Sequence, residues 1–293
     1  MKWLILFLWG GAILYLQFRG QVRLTWQRQL LHASSALAPL NALALLLSKV
    51  PATPTIPISR LPELKTLEDN WETIRDESNQ ILAQQTAEAS HDTVPPPIRI
   101  NLVTAGKADS HAIQSCPQTL ALLRQIQGIQ SATLVEMPAD TNIEPARAPY
   151  SGLLQVHLGL ESPHHSDCYV DIDGIRQQRQ EGQVIVLDPS FVTESNNGSQ
   201  ARNIILQCEL QRPMVTNWAN RANAWISRQV VQLTSAPDIN VQPAPIRAIL
   251  RGRHWLEHQC QAFDAAYKQA NPTLYKAVKA GVVVLVVLLF LAI

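Results

Sequence analysis

The chain has 293 residues, is 46% hydrophobic, and carries 24 lysines and arginines against 23 aspartates and glutamates. That length supports one full core with additional segments, and a formal net charge of +1 excludes a global pull toward nucleic acid. The cysteines at 116, 168, 208 and 260 have neither CxxC nor zinc-finger spacing, which fits free, packed thiols in a reducing compartment.

From Trp3 to Phe18 the sequence has no charge and one strongly polar residue, Gln17. It is slightly shorter than the ~20 residues that span a bilayer, a gap that tilt or thinning can close. A cleaved signal peptide is the competing reading, but Gln17-Phe18-Arg19-Gly20 offers no small-residue cleavage site. Residues 1–20 therefore read as a retained anchor. At the other end Ala280–Ile293 is wholly apolar, and 271–293 reads as a second anchor with Lys276 and Lys279 placed to snorkel. Arg19, Arg23 and Arg28 follow the first span, and Lys268, Lys276 and Lys279 precede or enter the second. The positive-inside rule then puts the central region in the cytoplasm.

Within a 21–60 segment of interfacial helix and Pro-rich linker, Leu30–Val50 reads as an Ala/Leu-rich helix, interfacial or packed on the domain and kinked or divided at Pro39. Pro51, Pro54 and Pro57 then impose an extended linker. Leu64, Leu67, Trp71 and Ile74 recur at helical spacing in a helix from Leu61 to about Gln85. His91–Ser110 is Pro-rich apart from a short strand, Ile98–Val103. A helix with Pro117 in its first turn and a strand over Ala132–Met137 follow.

Tyr150–Leu160 alternates Leu154, Val156 and Leu158 with Gln155, His157 and Gly159, so His157 points away from one apolar row. Cys168–Ile172 also alternates, and Asp173-Gly174 is a hairpin-turn signal. With Val184–Leu187 and Ile204–Cys208, these short strands predict a jelly roll over 61–214, mainly β with flanking helices. Residues 215–270 read as a basic amphipathic helical region. Trp218 and Trp225 lie one heptad apart with Arg221 and Arg228 between and beyond them, and Arg247, Arg251, Arg253 and His254 follow. Tryptophan with arginine suits anionic lipid headgroups; an ordinary helix packed on the barrel is the other reading.

Several of these stretches resemble the aspartyl/asparaginyl β-hydroxylase family, more closely its bacterial lipid A hydroxylase branch. They are Pro62-Glu63-Leu64 with Asn70-Trp71, His157-Leu158-Gly159-Leu160, Arg202-Asn203-Ile204-Ile205-Leu206, and Cys208 through Arg212-Pro213. The resemblance implies a double-stranded β-helix between two transmembrane helices, at the cytoplasmic face of a bacterial inner membrane. It implies Fe(II)- and 2-oxoglutarate-dependent hydroxylation of a fatty acyl chain on lipid A or its precursors, or of a protein Asp or Asn side chain. By the same resemblance His157 would hold iron and Arg202 would pair the distal carboxylate of 2-oxoglutarate.

The sequence also departs from that family. Where the resemblance places a second iron histidine, Leu187-Asp188-Pro189-Ser190-Phe191-Val192-Thr193 ends in threonine, a poor Fe(II) ligand when neutral. The His-Arg-Asp run expected before Pro-Tyr is Ala146-Arg147-Ala148, and an expected Trp is Arg179. Glu194 is a possible substitute ligand if a one-residue bulge turns it inward, against the resistance of strand register. His164 and His165 read as exposed loop residues, since an extended strand puts them more than ~20 Å beyond His157. Three expectations follow: an active dioxygenase with a variant iron site, a degenerate member that binds lipid, an anion or a partner without oxidation, or a structural membrane protein. The ligand arithmetic favours the second.

Overall fold

The computed structural model describes residues 2–86 and 97–235, and both β-sheets lie in one compact unit, Leu6–Thr234. The expected C-terminal anchor, Cys260 and the basic stretch at 247–254 lie outside the described residues.

The N-terminal apolar run forms α1 (Lys2–Phe18). At ~1.5 Å per residue it is about 25 Å long, against a hydrocarbon core of ~30 Å. Among the described residues no helix is long and apolar enough to cross a membrane. One face of α1, with Trp9, Ala12, Ile13 and Leu16, packs against Ala38, Ala42 and Leu45. Next come α2 (Trp26–Leu31), α3 (Ala33–Ala36) and α4 (Ala38–Leu46). Thr25 caps α2 by accepting from the Arg28 N–H. Pro39 occupies the first turn of α4, where its missing N–H costs nothing, so it starts a helix rather than kinking one.

The Pro-rich linker delivers β1 (Thr55–Ile56), which pairs with the β-sheet as an edge strand. Helices α5 (Lys65–Asp69) and α6 (Trp71–Thr86) are the predicted single helix broken at Asn70, whose side chain donates back to the Thr66 carbonyl. After β2 (Ile98–Thr104) and β3 (Lys107–Ala108) come α7 (Ser110–Ser115) and α8 (Pro117–Gln125). The remaining strands are β4 (Ile129–Met137), β5 (Thr141–Ala146), β6 (Leu153–Glu161), β7 (Cys168–Ile172), β8 (Ile175–Gln178), β9 (Val184–Leu187), β10 (Thr193–Asn197) and β11 (Asn203–Gln211). Helix α9 (Asn217–Ser235) follows.

The strands form two antiparallel sheets, one ordered β1-β9-β6-β11-β4-β2-β3 and the other β5-β10-β7-β8. This is the jelly-roll architecture that the spacing of turns predicts. The β7–β8 hairpin uses Asp173 and Gly174 at φ of 56° and 83°, the pair of positive values that a tight two-residue turn needs. Period-two alternation then sorts the larger sheet. Leu154, Val156, Leu158, Leu134, Leu206 and Cys208 face the helices and join Leu67, Ile74, Ile81 and Leu120 in the main core. The opposite face meets the smaller sheet, where Val135, Met137 and Ile205 pack on Ile143, and Ile185 and Leu187 on Val170 and Ile172. His157 lies on that second face. It is therefore held between the sheets.

Candidate functional site

Two buried charged clusters lie near the ends of these strands. The first is built from the family-like Asp188-Pro189-Ser190-Phe191 and Arg212-Pro213 motifs. Asp188 is fully buried and accepts from Arg212 Nη2 at 2.6 Å, from Arg19 Nη2 at 2.9 Å, and from Ser190 Oγ and N. Burial alone would raise the Asp188 carboxyl, but Arg212 and Arg19 outweigh it and hold it below its ordinary value. Arg212 also donates through Nε to the Ser151 carbonyl at 2.7 Å and through Nη1 to Ser48. Arg19 donates to Ser190 and lies over the Phe191 ring at 4.2 Å.

The same contacts fasten the N-terminal segment to the barrel. The Val22 N–H donates to Asp173, and Arg147 donates to the Leu16 carbonyl at 2.8 Å and to Gln29 at 3.1 Å. α1 has no basic residue in its own last turn, so Arg147 supplies the cation that its C-terminal carbonyls favour. At Gly20 a Cβ would crowd the Asp173 carboxylate and the Phe191 ring.

The second cluster surrounds His157, which is 3% exposed. Neither ring nitrogen has a hydrogen-bond partner among the described residues. Burial, then the charges of Arg179 and Arg99, push its pKa well below the ordinary value, so the ring is neutral at pH 7. Arg179 is brought between the sheets by a specific backbone approach. The segment following β8 runs beside β6, with Gly182 N–H donating to the Gly159 carbonyl and Gly159 N–H to that of Gln183. Gly159 permits this: a Cβ there would meet the Gln180 carbonyl oxygen at 2.2 Å. The adjacent Arg179, 4% exposed, spans the barrel and donates through Nη2 to Ser195 Oγ at 2.8 Å. Its Nε and Nη1 have no partner among the described residues.

Of the other expected site residues, Thr193 shares the inward face of β10 with Ser195, while Glu194 and Arg202 face outward. Thr193, at the start of β10, donates its hydroxyl to the Phe191 carbonyl at 3.4 Å. The pairing of β10 with β5 does shift between Thr193 and Ser195, but that with β7 is continuous and sets Glu194 opposite Asp171. Ser195 points inward to Arg179, so Glu194 points outward, and the shift does not turn its carboxylate into the barrel. Arg202 likewise lies outside, where it holds Glu161 through Nε at 3.1 Å and Nη2 at 2.9 Å with its side chain 44% exposed. The buried position next to it is Asn203, which leaves an amide rather than a guanidinium at the barrel end of β11. His164 and His165 are exposed loop residues, as their spacing predicts.

This donor set does not fit a resident Fe(II). It offers one neutral imidazole under the field of two guanidinium cations, which would repel a dication. Among the described residues no three His, Cys, Asp or Glu side chains gather as a metal group. Sequence reasoning noted Arg179 only as a lost tryptophan. The signal for its position was Gly159 of the HLGL run, whose role is to admit the neighbouring backbone.

Comparison with known proteins agrees with the motif reading. The aspartyl/asparaginyl β-hydroxylase family model matches residues 68–213. The chain is similar to the ornithine lipid ester-linked acyl 2-hydroxylase of Rhizobium tropici, 23% identical over 201 residues that cover 63% of this chain and 72% of that one. Among solved structures, a Pseudomonas putida prolyl-4-hydroxylase matches at 13% identity and a TM-score of 0.36, covering 51% of this chain and 99% of that one. The viral collagen prolyl hydroxylase of Paramecium bursaria Chlorella virus-1, a 2-oxoglutarate complex, matches at 10% identity and a TM-score of 0.33, covering 47% and 90%. These structural likenesses are distant, and the strand order itself defines the fold. With its HLGL strand, its Asp-x-Ser-Phe turn and its Arg-Pro end all inside or bounding the matched segment, the chain belongs to the aspartyl/asparaginyl β-hydroxylase family as a divergent member.

Proposed function

We propose that this protein works at a lipid surface as a hydroxylase-family member whose iron-dependent oxidation has been lost. One observation carries the reading: the charge of the buried Arg179 bears on the His157 ring, while Thr193 occupies the second ligand position of the family pattern. A guanidinium there does by fixed charge the opposite of what Fe(II) binding needs, and it cannot be titrated away near neutral pH.

The lipid side of the reading is supported by the relative's name and by the surface. Trp218 and Trp225 of α9 are 60% and 67% exposed, and Arg221 and Arg228 are exposed on the same helical stripe. Exposed Phe18 and Trp26 meet edge-to-face at 5.9 Å, with Arg23 over the Phe18 ring at 4.6 Å. Aromatic side chains with interleaved arginines suit the headgroup region of an anionic bilayer. The compartment that this reading assigns is the cytoplasmic face of a bacterial inner membrane, with an acyl lipid such as lipid A, its precursors or an aminolipid as the ancestral substrate class.

The test supplies full-length protein with phosphatidylcholine vesicles, with or without phosphatidylglycerol, together with Fe(II), 2-oxoglutarate, oxygen and a candidate acyl lipid. Co-sedimentation with the anionic vesicles is expected, reduced at least several-fold in Trp218→Ala/Trp225→Ala, with no lipid gaining one oxygen. The relative's name favours a second reading, an active acyl-lipid dioxygenase with Fe(II), 2-oxoglutarate and an unconventional ligand set. An oxygenated lipid whose formation stops in His157→Ala would establish that reading instead.

A further inference from the structure

The interior that no longer suits a metal has a different chemical demand. Arg179 is a buried cation, and its guanidinium keeps its proton near neutral pH even though burial lowers its pKa to about 10. An unpaired charge in such a place is strongly unfavourable, so buried charges are found with counter-charges. Among the described residues no carboxylate pairs with Arg179: its one hydrogen bond goes to the neutral Ser195 hydroxyl, and Cys168 is the titratable group that acts on it. The Cys168 thiol is raised by burial and so stays protonated at pH 7. Three N–H bonds, one on Nε and two on Nη1, remain for a ligand, with the His157 ring able to add one donor from either nitrogen.

We infer that the buried donors of Arg179 and His157, with Ser195 holding the guanidinium, form a binding site for a small oxyanion of the carboxylate or phosphate type. It rests on the reading that iron is not resident there, and it deepens that reading by assigning the ligand class. The anion would accept from Arg179 Nε and Nη1 and from His157, while Ser195 holds the guanidinium in place through Nη2. Charge-assisted hydrogen bonds to a guanidinium are the strong kind, and the low local dielectric strengthens them further. The one proton of the His157 ring can stand on whichever nitrogen faces the anion.

The experiment uses the full chain in chelator, so that no metal contributes, and titrates acetate, succinate and inorganic phosphate separately at constant ionic strength. Heat of binding and the imidazole 15N shifts of His157 are read together. A saturable titration by at least one of the three is expected, with the His157 ring signals moving in step, and the three arms identify whether a monocarboxylate, a dicarboxylate or a phosphate fits. Arg179→Gln should lose at least tenfold in affinity. Ser195→Ala, which keeps the charge but frees the guanidinium, should lose a smaller, several-fold amount and stands in if the glutamine variant does not fold. Folded protein that gives no saturable response to any of the three anions overturns the inference, and so does equal binding by wild type and Arg179→Gln. Because metal is absent throughout, that failure is separate from the iron question: iron binding would be seen only when Fe(II) is added.

Discussion

The two buried charge clusters of this barrel both hold arginine and serine, but only the first has a carboxylate, and they behave in opposite ways. In the first, Asp188 is met by two arginines and a serine, and both of its oxygens accept. In the second, Arg179 and His157 are equally buried but leave Nε, Nη1 and both imidazole nitrogens without partners among the described residues. The comparison separates what a motif is for. Asp188, Ser190 and Arg212, which lie in the family-like motifs, lock the strand ends and the N-terminal segment together, which is structural work. The orphaned donors mark the place proposed above for an anion.

The largest expected effect breaks the satisfied cluster. Asp188→Ala would strand Arg212 and Arg19 without their counter-charge and cost about 3–5 kcal/mol, measured by urea unfolding. A loss below ~1 kcal/mol would mean that the carboxylate is not the centre of that cluster.

The next prediction disturbs how Arg179 is placed. Gly159→Ala would press a Cβ to 2.2 Å from the Gln180 carbonyl oxygen, a backbone atom that cannot swing aside. A destabilisation of roughly 1–3 kcal/mol is expected from such overpacking. An unchanged urea midpoint would show that the backbone approach is looser than described.

Acid acts on both clusters with the same sign but separates them by pH window. His157 is lowered in the folded state from an ordinary 6.5, so below that pH the unfolded chain takes up a proton that the native chain does not. Its contribution makes stability fall as pH drops below 6.5, by at most about 1.4 kcal/mol per pH unit. Asp188 is lowered from an ordinary 3.8, so its contribution is complete above that value and is lost only at lower pH. His157→Gln should therefore flatten the slope between pH 6.5 and 5 and leave the acid limb below 3.8 in place. An unchanged slope between pH 6.5 and 5 in that variant would remove His157 as its source.

The smallest effect is predicted at Arg202. Its pair with Glu161 is exposed and outside the barrel, so Arg202→Ala should change stability by ~0–1 kcal/mol. It should leave anion binding at Arg179 untouched. A tenfold loss of that binding in Arg202→Ala would place the anion elsewhere.

The strands and their facing were legible because period two is a strong signal: Leu154, Val156 and Leu158 fix which side of β6 is core, and so which side holds His157. The turns at Asp173-Gly174 and the helix start at Pro39 were legible through backbone chemistry alone. The site was harder to read because a shift of one residue along a strand changes face. Arg202 sits one position before the inward Asn203, and the family motif cannot say which of two adjacent residues points in. Arg179 follows the last residue of β8, in a segment with no period to read, and only the bare Gly159 opposite it hinted at a close approach. The contacts of Arg19 with Asp188 join residues far apart in sequence, and no local pattern encodes them.

The central claim is that the barrel centre is no longer an iron site, and it is tested by anaerobic titration of the full-length protein with Fe(II) in the presence of 2-oxoglutarate. The readout is the weak visible charge-transfer band of a ternary complex, with circular dichroism to show that the protein is folded and with His157→Ala alongside. The account predicts no band from folded wild-type protein. A band that appears with wild type and disappears in His157→Ala would contradict it.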